Sequence, residues 1–83
     1  MGGQVAASVL LQHTESDAKW RRKASVFALG EGAPLTPAVL AALAKRLSLA
    51  HEPSVYVRAV AAVALGCLYR RSVASANSDV PKP

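Results

Sequence analysis

One cysteine and four aromatic side chains are all that this 83-residue chain contains of either kind. The lone Cys67 excludes an internal disulfide and any cysteine-cluster zinc site, and it fits a reducing compartment. Aromatics make up 5% of the residues and hydrophobic residues 52%, so the core has to come from alanine, valine and leucine. Alanine richness favours closely packed helices over sheets. Acidic residues are also few: five stand against ten basic ones, for a net charge of +5. That excess suits an acidic partner, nucleic acid or a solvated basic surface. Long apolar runs are missing as well. The run from Ala59 to Tyr69 is eleven residues, between Arg58 and Arg70-Arg71, whereas a membrane span needs roughly 20. No secretory signal is visible, because the N-terminus lacks a basic segment and Gln12-His13-Thr14 interrupts its apolar stretch. The start MGGQVA places Ala6 where a myristoylation signal wants Ser or Thr. A cytoplasmic protein without a membrane span is expected.

Catalytic patterns are equally scarce. The acidic residues are Glu15, Asp17, Glu31, Glu52 and Asp79, and none forms a pair on an expected helix face. His13 and His51 lie far apart without a third ligand at metal-binding spacing. Gly30-Glu31-Gly32 lacks the length and the Lys-Ser/Thr ending of a phosphate loop. Cys67 has no histidine nearby in sequence and is expected to fill the core. The expectation is a non-enzyme with no cofactor and no metal.

What is present is helical punctuation. No segment sustains β-type alternation. Residues 3–13 form a first candidate helix, with Val5 and Val9, joined by Ala6 and Leu10, at helical spacing. Thr14-Glu15-Ser16-Asp17 offers N-caps for a second helix that stops at Gly30. Thr36 as N-cap and Pro37 at the first helical position start a third, with Val39, Leu40, Leu43 and Leu47 on one face. The break at His51-Glu52-Pro53-Ser54 precedes a fourth, from about Ser54 to Arg71. Residues 72–83 are polar, end in Pro-Lys-Pro and read as a disordered tail. Gly66 falls inside the fourth helix, where close backbone contact would offset its cost, or else ends it.

The second and fourth helices repeat each other. WRRKASVFALG, ending at Gly30, lies over YVRAVAAVALG, ending at Gly66, at an offset of 36 residues. Arg22 matches Arg58, Ala28 matches Ala64, Leu29 matches Leu65, and Trp20 matches Tyr56. Two helices per unit of about this length are the signature of an α-solenoid. The residues resemble the second helices of HEAT repeats, above all the short HEAT-like repeats of the phycobilisome-lyase type, whose pattern is roughly V-R-x-x-A-x-x-A-L-G. Val57, Arg58, Ala61, Ala64, Leu65 and Gly66 fit it; the first copy departs at Arg21 and Ser25. The resemblance implies an all-α solenoid fragment of four helices. One domain would cover residues 1–71, with repeat one at about 3–32 and repeat two at about 35–71. It also implies that Arg22 and Arg58 make structural contacts between repeats. His51-Glu52 precedes Pro53 and so lies outside the helix that carries the His-Glu metal pairs of the family's hydroxylases.

Two faces follow. Val57, Ala61, Ala64 and Leu68 form a stripe suited to packing on the third helix. Tyr56, Val60, Val63 and Cys67, with Trp20, Ala24 and Phe27, form another, which the resemblance places on the concave side. The expected function is protein–protein interaction or scaffolding through Trp20, Lys23, Phe27, Tyr56 and Val63. A last helix apolar nearly all round further suggests a protein partner or self-association. An alternative is nucleic-acid binding through Lys19, Arg21, Lys23, Lys45, Arg46, Arg70 and Arg71, by phosphate contacts. A third reading, from the resemblance alone, is a factor in pigment-protein maturation or turnover.

Overall fold

The computed structural model describes residues 3–78, with side chains described for residues 7–74. Four α-helices and no strand occur among these residues: α1 (Gly3–His13), α2 (Lys19–Gly32), α3 (Pro37–Leu47) and α4 (Val55–Ser78). None of the helices is long and apolar enough to cross a membrane. α2 packs along α4, α4 packs on α3, and α1 lies on α2 with a lighter contact to α3. α2 and α4 run parallel. Lys19 lies near Tyr56 at their starts, Gly30 meets Ala64 midway along α4, and Arg71 reaches the end of α2.

The core is aliphatic, as the composition requires. Val26, Leu29, Val39, Leu43, Val57, Ala61, Ala64 and Leu68 are buried, and Leu10, Leu11, Val60 and Leu65 pack around them. The stripe of Val57, Ala61, Ala64 and Leu68 is therefore the inner face of α4, and Val39 and Leu43 are the inner face of α3. Leu40 and Leu47, grouped with them by spacing, lie at the margin and stay partly exposed. In α1 the packing falls to Leu10 and Leu11 while Val9 is exposed; the side chain of Val5 lies outside the described residues.

The helix ends follow local chemistry. Thr36 Oγ1 accepts from Val39 N–H at 3.2 Å, with Pro37 opening α3. Ser54 Oγ accepts from Val57 N–H at 3.3 Å and starts α4. α2 departs from expectation at both ends. Its N-cap position is Ala18, which has no side chain able to cap. Thr14 instead closes α1, donating its hydroxyl to Leu11 O at 2.7 Å, and Ser16 Oγ accepts from Ala18 N–H at 3.1 Å. Gly30 does not stop α2, which continues to Gly32 with a φ at Gly30 in the ordinary helical range.

Two further expectations change. The segment from Ser72 to Ser78, read as part of a disordered tail, continues α4. It holds no glycine or proline, and its serines, alanines and one valine let an established helix propagate; residues 79–83 lie outside the described residues. The close backbone contact assigned to Gly66 belongs to Gly30. A Cβ built on Gly30 would sit 2.7 Å from Ala64 Cβ, whereas none of the described atoms lies within 4 Å of a Cβ built on Gly66.

Candidate functional site

One buried acid organises the polar interior. Glu52, in the turn before α4, is fully buried. Its carboxylate accepts a bidentate pair from Arg22, Nε to Oε1 and Nη2 to Oε2, both at 2.8 Å. Arg46 Nη1 donates to Oε1 at 2.9 Å and Ser54 N–H to Oε2 at 3.1 Å. The backbone carbonyl of Glu52 accepts from Arg58 Nη1 at 2.6 Å. Burial pushes this carboxyl upward, but the Arg22 hydrogen bonds, the Ser54 N–H and the charges of Arg22 and Arg46 outweigh it. The carboxyl is held below its ordinary range. Arg22 is correspondingly raised, first by its hydrogen bonds to Glu52. Its remaining nitrogen braces the α1–α2 turn, donating to Ser16 O at 2.9 Å and Asp17 O at 3.2 Å. Charge-assisted bidentate bonds of this kind are the strong ones.

In the sequence Glu52 stands among the acids without a paired partner. Its partners lie 30 and 6 residues away on three different helices, so no local pattern could reveal them. The usable signal was compositional: one acid in a turn otherwise lacking charge, between helices that each carry an inward arginine.

The cluster ties α2, α3 and the start of α4 together around one buried carboxylate. Among the described residues no group of three or more His, Cys, Asp and Glu side chains could hold a metal ion. His13 ends α1 and is half-buried, and His51 is exposed in the turn between α3 and α4. Cys67 is half-buried beside Arg70, whose Nη2 lies 3.6 Å from Sγ.

The exposed counterpart is the face shared by α2 and α4. Trp20 is 63% exposed, Phe27 56%, Tyr56 60% and Val63 60%. They occupy the outer side because the aliphatic stripes fill the inner one: a 100° advance per residue sets Trp20 and Phe27 well off the Arg22–Val26–Leu29 line. Trp20, Lys23, Ala24, Phe27 and Val60 line a groove of about 330 Å³. Beside it, Lys19, Pro53, Val55 and Tyr56 border a second hollow of about 480 Å³. Lys19 Nζ stands 4.8 Å from the Trp20 ring centre and 5.7 Å from that of Tyr56, and Lys23 Nζ stands 5.1 Å from Trp20. The structure thus brings Trp20, Lys23 and Phe27 into one groove and joins Tyr56 to it through Lys19. Val63 lies further along the same stripe of α4, outside the groove lining.

The basic residues divide. Arg46 is buried against Glu52 and lies 3.9 Å from Glu15, and its Nε has no partner. Lys45 donates to Glu15 at 3.1 Å. Arg71 Nη2 donates to Gly30 O at 2.9 Å and Ala33 O at 3.1 Å, capping the carbonyl end of α2. Cations at a helix C-terminus are favoured both by hydrogen bonding and by the helix dipole. Lys19, Arg21 and Arg70 are exposed. Comparison of the chain with known protein families, with curated proteins and with solved structures finds no match.

Proposed function

We propose that this chain is a non-enzymatic HEAT-like helical module that binds a protein partner through the outer face of α2 and α4. The carrying observation is the exposure of four large apolar side chains on that face, Trp20, Phe27, Tyr56 and Val63, each more than half accessible. Contiguous apolar surface of this sort, rimmed by Lys19 and Lys23, suits a protein segment that brings apolar anchors and acidic flanks. The HEAT-like reading draws support from the 36-residue offset, the parallel run of the two matched helices and the inward-facing Arg22 and Arg58.

Nucleic-acid binding ranks second. Lys19, Arg21 and Arg70 are free for phosphate contacts, but Lys45, Arg46 and Arg71 make contacts within the protein. Replacing Trp20 and Phe27 by alanine tests the first reading. Partner capture should fall at least tenfold, while the unfolding free energy changes by less than about 0.5 kcal/mol, as for ordinary surface positions. Unfolding of the double variant would instead assign both rings to packing. Retention of generic RNA or DNA that vanishes at moderate salt, unaffected by the double substitution, would favour the second reading.

A further inference from the structure

α4 carries a third apolar line, on the side turned away from α2 and α3. Val55, Ala59, Ala62, Gly66, Tyr69 and Val73 follow one another at steps of 4, 3, 4, 3 and 4 residues. This alternation is the a/d seam of a two-helix coiled coil, about 27 Å long at 1.5 Å per residue. All six are exposed apart from the half-buried Gly66, and the large members are open: Tyr69 is 68% accessible and Val55 59%. No described atom approaches a Cβ built on Gly66 within 4 Å.

The seam is also its own complement. Read outward from Ala64, Ala62 mirrors Gly66, Ala59 mirrors Tyr69, and Val55 mirrors Val73. In an antiparallel pair related by a two-fold axis, each seam residue meets its mirror position in the other copy, while a residue just outside the seam faces the equivalent flanking position on the same side. The bulky Tyr69 then lies over the small Ala59, the two Val pairs close the ends, and Ala62 and Gly66 allow close approach at the centre. The flanking positions agree. Tyr56 of one helix falls beside Arg70 of the other, a cation–π pairing, and Val63 falls beside its own copy. Arg58 falls beside Ser72, so no two cations oppose one another. A parallel pair would instead set Tyr69 on Tyr69 and Gly66 on Gly66, crowding one layer and leaving the next unfilled.

We propose that the chain forms a two-fold homodimer through antiparallel packing of α4 on α4 in this register. A head-to-tail stack, with α2 of a second copy on α4, is less complementary. The outward side of α2 presents Arg21 where α4 offers Val57 to its neighbour, and Gly32 where α4 offers Leu68. The dimer deepens the protein-interaction reading: its flanks take up Tyr56 and Val63 of the proposed face, while Trp20 and Phe27 lie outside the seam and stay open to a partner.

Sedimentation equilibrium on the full chain, with pairwise oxidation, tests it. In a Cys67→Ala background, Ala59→Cys and Tyr69→Cys proteins should cross-link when mixed under copper-catalysed air oxidation, and neither should cross-link alone. Cross-linking of each alone would mean a parallel pair, and no cross-link in any combination would mean no such interface; either overturns the proposal. Gly66→Leu should weaken dimerisation at least tenfold while the monomer stays folded, since the monomer leaves that space empty. A chain monomeric throughout the accessible concentration range also overturns it. Loss of dimer with the Trp20/Phe27 groove still capturing its partner would separate failure here from failure of the groove reading.

Discussion

Glu52→Ala leaves the chain largely unfolded, or lowers its thermal midpoint by more than about 12 °C at neutral pH, as followed by circular dichroism. The substitution removes the carboxylate that Arg22 and Arg46 share, leaving the buried Arg22 without its ion-pair partner and Arg46 with only Glu15 at 3.9 Å. Breaking a buried ion pair from one side costs about 3–5 kcal/mol. A chain of this length holds only about 4–12 kcal/mol in total, and each kcal/mol moves the midpoint by about 4–8 °C in so small a domain. The effect is asymmetric. Replacing Glu52 together with Arg22 and Arg46 by well-packed apolar residues should recover much of the loss, because the penalty comes from stranded charge. The same carboxylate sets the acid limit. Its folded value lies below its unfolded one, so the unfolded chain takes up this proton first as the pH drops. The contribution of Glu52 is thus fully present above a pH of about 4.5 and is lost as the pH falls through the folded value. Glu52→Gln should abolish most of that acid-side slope while being less stable than the parent at pH 7. A parent and a Glu52→Ala variant with equal midpoints at neutral pH would refute the account.

The two repeat-related glycines respond with opposite signs. Gly30→Ala places a methyl 2.7 Å from Ala64 Cβ and 2.8 Å from Ala64 Cα. The obstacle is backbone and its fixed Cβ, so no flexible side chain can move aside and α2 must part from α4. Overpacking of this kind costs about 1–3 kcal/mol. Gly66→Ala meets nothing within 4 Å and removes a glycine from the middle of a helix. It should add about 0.5–1 kcal/mol. Urea denaturation at a concentration low enough to keep the chain monomeric reads both values. The same sign at both positions would show that the two sites are not distinguished by packing.

This pair also shows where sequence reading stops. An alignment of glycine on glycine is visible in the residues alone, as are Thr36-Pro37 at the start of α3 and the buried Val57–Ala61–Ala64–Leu68 stripe, because each depends on neighbours within a few positions. Which glycine is crowded depends on which side of its helix already has a neighbour, and that is a property of the assembled helices. Glu52 was hidden for the same reason: its meaning resides in arginines contributed by α2, α3 and α4. The end of α4 was misplaced because polar composition was read as disorder where no residue breaks the helix. On the candidate face, Trp20, Lys23, Phe27, Tyr56 and Val63 could be named from the helical period, while the bridging position of Lys19 depended on the 37-residue separation from Tyr56.

Stacked helical units commonly open one at a time, since each touches only its neighbours. Here a single turn residue holds side chains from α2 and α3 together and has its own backbone held by an arginine of α4. Opening of the α3–α4 hairpin strips Arg22 of its carboxylate, and opening of α1–α2 leaves Glu52 with Arg46 alone, so opening either half forfeits the bidentate pair. The slow amide hydrogens of α2 and α4 should therefore exchange together, and native-state hydrogen exchange in which α2 exchanges well before α4 would refute this coupling.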